Sequence, residues 1–120
     1  MHDTTVCALS TPRGKGGIAV IRISGEKALE ITEKTVKSNK KITEAEGYRI
    51  VYGKAFGKER EIDEVLVSVF RAPNSFTGEN VCEISCHGSM LSAERIIDAL
   101  LENGACLATK GEFTKRAFLN

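Results

Sequence analysis

No apolar run in this 120-residue chain approaches the roughly 20 residues of a membrane span. Met1-His2-Asp3 has no basic stretch ahead of an apolar block, so a secretory-signal pattern is also lacking. No two of the cysteines, Cys7, Cys82, Cys86 and Cys106, are spaced Cys-x-x-Cys. A domain of this length does not need disulfide staples, and buried free thiols in a cytosolic protein are the expected reading. Charge of one sign is missing too. Seventeen Lys and Arg face 16 Asp and Glu, a net +1, which gives no bulk electrostatic case for a nucleic-acid partner. There is no phosphate loop. Gly14-Lys15-Gly16-Gly17 leads into an apolar strand, whereas Walker and Rossmann loops lead into a helix whose amides cradle phosphate. No catalytic Ser/His/Asp spacing is present.

The chain does have the makings of one domain with a real core: 42% hydrophobic and 28% charged residues, ordinary values for a globular protein. Strands are expected at Thr4 to Leu9 and at Ile18 to Ser24, the latter apolar on both faces except for Arg22 and Ser24. Ala28, Leu29, Ile31, Thr32 and Val36 recur at helical spacing, which predicts a helix over Glu26 to Lys37. Ser38 to Gly47 reads as a loop. Tyr48 to Phe56 and Ile62 to Phe70 read as a hairpin, with Val65, Val67 and Val69 on one face. Val81 to His87 is a further strand. Ser89 caps a helix over Met90 to Asn103 that Gly104 ends, and Ala105 to Ala108 is a short last strand. Glu112 to Leu119 reads as a helix start with no stop after Asn120, so the chain is expected to be a piece cut at a domain boundary. The fold class that follows is α+β: a mixed β-sheet with two main helices, in the order two strands, helix, three strands, helix.

The strand Val81 to His87 concentrates the chemistry. Side chains alternate across a strand, so Cys82, Ile84 and Cys86 share one face while Glu83, Ser85 and His87 share the other. Glu83 is either a solvated position on an antiparallel face or a carboxylate that binds a ligand through a fork of hydrogen bonds. Arg22, inside an apolar strand, is either a structural arginine, ion-paired or reaching water at a strand end, or one that binds a ligand carboxylate or flat ring. Cys82 and Cys86 are expected about 13 Å apart at 3.3 Å per residue, beyond the roughly 7 Å a disulfide spans. Metal ligation is not expected, because both thiols point away from His87. Arg13 and Lys15 lie in the glycine-rich segment, which is either a plain connection or a loop that closes over a ligand.

Three blocks carry a resemblance. Thr11-Pro12-Arg13-Gly14-Lys15-Gly16-Gly17-Ile18-Ala19-Val20-Ile21-Arg22-Ile23-Ser24-Gly25, then Ala72-Pro73-Asn74-Ser75-Phe76-Thr77-Gly78-Glu79 with Cys86-His87-Gly88, then Gly111-Glu112-Phe113-Thr114-Lys115-Arg116-Ala117-Phe118-Leu119-Asn120, occur in that order. They resemble the N-terminal domain of the tRNA modification GTPase family MnmE/TrmE; the stretch Glu26 to Arg71 matches only in pattern. The resemblance implies a folate-binding, dimer-forming domain of the glycine-cleavage T-protein type spanning 1–120, followed by helical and GTP-binding domains. It implies that Arg22 and Glu83, rather than Glu79, contact a reduced folate such as 5-formyltetrahydrofolate. A lysine beyond Asn120 is a further contact in the family. It further implies GTP, magnesium and potassium in the GTP-binding domain, the flavin-dependent partner MnmG, and tRNA whose wobble uridine U34 is carboxymethylaminomethylated. A cytoplasmic homodimer without membrane attachment is expected, its interface involving the first strand, and the 120 residues alone are expected neither to bind nor to hydrolyse GTP. A folate-dependent aminomethyltransferase-like protein and a ligand-free dimerisation module are the alternatives.

Overall fold

Alternating apolar positions build the sheet, and a computed structural model describes residues 4–11, 17–58, 60–87 and 89–120 of the chain. The strands are β1 (Val6–Leu9), β2 (Ile18–Ser24), β3 (Val36–Ser38), β4 (Arg49–Phe56), β5 (Glu61–Phe70), β6 (Val81–His87) and β7 (Cys106–Leu107). The helices are α1 (Ala28–Thr35), α2 (Met90–Glu102) and α3 (Glu112–Leu119). All seven strands form one mixed sheet in the order β3-β4-β5-β6-β2-β1-β7. Among the described residues only the β1–β7 pair is parallel. The expected α+β class holds, with α3 as a third helix.

Helices α1 and α2 cover one face of the sheet. Their buried stripes, Ala28, Leu29 and Ile31 on α1 and Ala93, Ile96 and Leu100 on α2, meet Ile21, Ile23, Val65, Val67, Val69, Cys82, Ile84 and Cys86 in one core. The opposite face lies largely open. β2 is interior to the sheet as its apolar run predicts, yet Ile18 on its outer face is 63% exposed. An antiparallel sheet pairs its backbone without needing a second helical layer, so burial on both faces does not follow from a central position.

Several boundaries differ from the sequence reading. Helix α1 stops at Thr35, because Val36 adopts extended geometry (φ −118°, ψ 123°) and starts the edge strand β3. Val36 is buried as expected, but against its strand partner Ala55 rather than on a helical stripe. The polar segment after β3 includes a single 3₁₀ turn, Ile42–Glu44, with Ile42 fully buried. Tyr48 has a left-handed φ of 64°, so β4 begins at Arg49. β1 lies between β2 and β7 of its own chain, which leaves the sheet edges to β3 and β7. Arg13 and Lys15 lie outside the described residues. Among those residues no helix is long and apolar enough to cross a membrane.

Cys7, Cys82 and Cys86 are buried free thiols as expected, whereas Cys106 is exposed on the edge strand β7. Burial pushes the Cys82 thiol up to about 12 and the Cys86 thiol up to about 11. Thiols held protonated in this way are poor nucleophiles and poor metal ligands at neutral pH.

Candidate functional site

The antiparallel register of β2 and β6 sets Arg22 directly opposite Glu83 on the open face. Directly opposed side chains in such a pair are within contact distance. Arg22 Nε donates to Glu83 Oε2 at 2.9 Å, and both side chains keep partial solvent access, 19% and 27%. The bond is end-on. Among the described residues the two Nη groups of Arg22 and the Oε1 of Glu83 have no hydrogen-bond partner. Among the described residues the pair thus makes one contact and leaves two donor groups and one acceptor over.

Two aromatic rings flank the guanidinium. Arg22 Cζ lies 4.7 Å from the centroid of Phe76 and 5.2 Å from that of Phe113. A planar cation over aromatic faces is attracted by the ring quadrupole. Phe76 sits in the turn between β5 and β6 and is half exposed; Phe113 comes from the first turn of α3. The cleft beside them holds about 310 Å³ and is lined by Ala8, Ser10, Arg22, Phe76, Thr109 and Phe113, among others. A larger groove of about 640 Å³ runs between the β4–β5 turn and α2, and neither Arg22 nor Glu83 reaches it. Arg22 and both rings line the smaller cleft, to which Glu83 is joined through its bond to Arg22, and a charge beside aromatic surface marks a ligand site better than volume does.

Glu79 belongs to a different assembly. It accepts from Ser24 Oγ at 2.7 Å and from Arg116 Nη1 at 3.1 and 3.2 Å. Arg116, 1% exposed, also donates to Glu112 Oε2 through Nε (3.0 Å) and Nη2 (2.7 Å), and to the carbonyl and hydroxyl oxygens of Thr4. Reading the blocks as motifs missed this network. The available signal was the i, i+4 spacing of Glu112 and Arg116, with Phe113 one turn from Arg116 on the same helix face.

Ser85 and His87 fall on the same outer face as Glu83. The imidazole Nδ1 of His87 lies 2.9 Å from Asp63 Oδ1, while the other oxygen of that carboxylate accepts the His87 backbone N–H. The ring is thus bonded to a side chain rather than to backbone, and by register it stands four residues along the strand from the Arg22–Glu83 pair. Cys82 and Cys86 point into the helical core, away from it.

Two carboxylates are held in their charged form. Hydrogen bonds from Thr43, backbone N–H first, lower the Glu33 pKa despite partial burial. Burial pushes Glu112 up, but the Thr109 N–H and the Arg116 guanidinium outweigh it, and its pKa is lowered as well. A depressed folded-state pKa contributes stability that is present above the unfolded value and lost as pH falls through the folded one. From these two carboxylates the thermal midpoint is expected to be level between pH 4.5, the usual carboxylate value here, and neutrality, and to drop below pH 4.5. Glu33→Gln should flatten part of that acid limb. A midpoint that rises on acidification would show the two carboxylates to be misassigned.

Together the fold and the site define an α+β module with an aromatic-flanked guanidinium–carboxylate pair on the uncovered face of its sheet. Residues 5–120 match the family model described as the GTP-binding protein TrmE N-terminus, and the chain belongs to that family. Proteins called tRNA modification GTPase MnmE are similar to it along nearly its whole length. The Fervidobacterium nodosum protein is 53% identical over 122 residues, covering 100% of this chain and 27% of that protein. The Listeria welshimeri protein is 48% identical over 120 residues (100% of this chain, 26% of the relative), and the Clostridioides difficile protein 48% over 120 residues (98% and 26%). The chain thus spans about a quarter of the length of these relatives.

Proposed function

We propose that this chain is the reduced-folate-binding, dimer-forming N-terminal module of a GTPase that modifies the wobble uridine of certain tRNAs. The observation that carries the ligand assignment is the half-used Arg22–Glu83 pair flanked by Phe76 and Phe113. A reduced pterin presents two adjacent N–H donors on one edge, which a carboxylate accepts as a fork. Among the described residues Glu83 Oε1 is an unused acceptor at the right kind of site, and the Arg22 Nη groups are unused donors for a carboxylate or carbonyl, while the two rings offer flat surface. When bound, the folate supplies a one-carbon unit; the residues of this chain bind and orient it. The relatives' names supply the tRNA and GTPase parts of the reading. GTP with magnesium and potassium, the flavin-dependent partner MnmG and the tRNA would engage the longer protein in the cytoplasm.

Support for a second copy comes from the open face rather than from a strand edge. Ile50, Tyr52 and Leu66 are about half exposed or more on that face, as is Ile18. An exposed apolar patch of this kind marks an interaction surface. Light scattering across a concentration series should show a dimer, and a monomer at all concentrations would refute the pairing.

For the ligand, Glu83→Ala is expected to weaken 5-formyltetrahydrofolate binding by about 1.5–3 kcal/mol, the usual contribution of a hydrogen bond to a charged group. The fold should survive, since Glu83 lies on the open face outside the core. Unchanged affinity by calorimetric titration would remove the carboxylate from the site.

A further inference from the structure

Arg116 does not touch the Arg22–Glu83 pair, yet its guanidinium is buried and fully hydrogen-bonded. Its five N–H donors match the acceptors around it: Nε to Glu112, Nη1 to the Thr4 carbonyl and Glu79, Nη2 to Glu112 and the Thr4 hydroxyl. Those acceptors come from three separate places: the entry to β1, the β5–β6 turn, and the first turn of α3. Two of the three carry the rings beside Arg22. Phe76 lies three residues before Glu79 in the turn, and Phe113 follows Glu112 on the helix. Asn120 adds a second tie between the same two segments, donating to the Thr77 carbonyl at 3.0 Å.

We propose that Arg116 is a positioning residue for the ligand site. By clamping the turn to α3 it sets the separation of Phe76 and Phe113, and so fixes the two rings against the Arg22 guanidinium while its Nε bonds Glu83. This inference rests on the folate reading for its ligand, but not for its geometry. A buried arginine used only for stability would have no reason to act on Arg22, which it does not touch. The clamp reaches Arg22 through the two rings, and reaches its strand through Ser24, whose hydroxyl donates to Glu79.

Arg116→Lys tests this. Lysine keeps the charge and reaches a carboxylate, but it lacks the planar fork that joins three segments at once. Arg71→Gln serves as the control, since Arg71 likewise pins a loop, through the Thr43 and Ala45 carbonyls, away from the rings. In the 120-residue chain, 5-formyltetrahydrofolate should bind about tenfold more weakly to Arg116→Lys, the scale of a lost stacking contact. Arg71→Gln should bind normally. Phe113→Leu combined with Arg116→Lys should lose little beyond the worse single variant, because both act on one element. Losses that simply multiply, or an equal loss in Arg71→Gln, would overturn the proposal.

A second readout needs no ligand. The Arg22 Nε–H proton resonance should be displaced by the two rings in the unaltered chain and in Arg71→Gln, and should return toward an ordinary arginine position in Arg116→Lys. An unmoved resonance in Arg116→Lys would refute the positioning role. If the unaltered chain fails to bind folate while this resonance shifts as expected, the ligand assignment falls and the clamp stands.

Discussion

Replacing Arg116 with methionine is expected to cost about 3–5 kcal/mol of folding stability, the range for removing one partner of a buried ion pair. The carboxylates of Glu79 and Glu112 keep only 14% and 17% exposure, so both would remain largely desolvated without their cation. The Thr4 carbonyl would lose a donor as well. Methionine fills much of the volume, so the loss is mainly electrostatic and not a cavity effect. A small domain has about 5–15 kcal/mol in hand, and this one change uses a large part of it. Urea unfolding of the variant measures the loss. A change below about 1 kcal/mol, the scale of an exposed pair, would show the network to be ornamental.

Gly25→Ala is expected to be comparably damaging for a different reason. Gly25 ends β2 with φ +144°, a region L-residues rarely occupy. A Cβ there would stand 2.6 Å from the Thr5 Cα and 2.5 Å from the Thr5 Oγ1. Backbone cannot swing aside as a side chain can. Strain and overpacking each carry about 1–3 kcal/mol, and moving Gly25 would also disturb its N–H bond to the Asn80 carbonyl (2.9 Å) at the start of β6. Gly57→Ala is the matched control. Its Cβ would meet Ile62 only at 3.7 Å, an ordinary contact. A thermal midpoint for Gly25→Ala equal to that of Gly57→Ala would contradict the packing described here.

How far the sequence disclosed this molecule depended on the range of the interactions involved. The strands β2, β5 and β6 were legible because period-two patterning is local and strong, as in Val65, Val67 and Val69. Once β2 and β6 are recognised, Arg22 and Glu83 need only register to meet. Strand β3 was hidden because three residues after a helix carry no periodicity, and Val36 fitted the helical stripe equally well. The uncovered face was hidden because β2 is apolar on both sides, although only one side has helices to pack against.

The rings were missed for another reason. Phe76 lies in a turn and Phe113 at the far end of the chain, and only tertiary packing brings them to Arg22. Glu79 shows the same limit. Nothing in the turn around Gly78 signals that Arg116 and Ser24 make Glu79 part of the frame. The cysteines divided in the same way. Cys82 and Cys86 followed from strand alternation, while the exposure of Cys106 depended on β7 lying at the sheet edge.

The most direct test of the central claim is a titration of the isotopically labelled 120-residue chain with 5-formyltetrahydrofolate, followed by amide chemical shifts. The account predicts saturable shifts centred on Arg22, Phe76, Glu83 and Phe113, at one ligand per chain. Shifts confined to the groove between the β4–β5 turn and α2, or none at ligand concentrations that saturate a specific site, would contradict it.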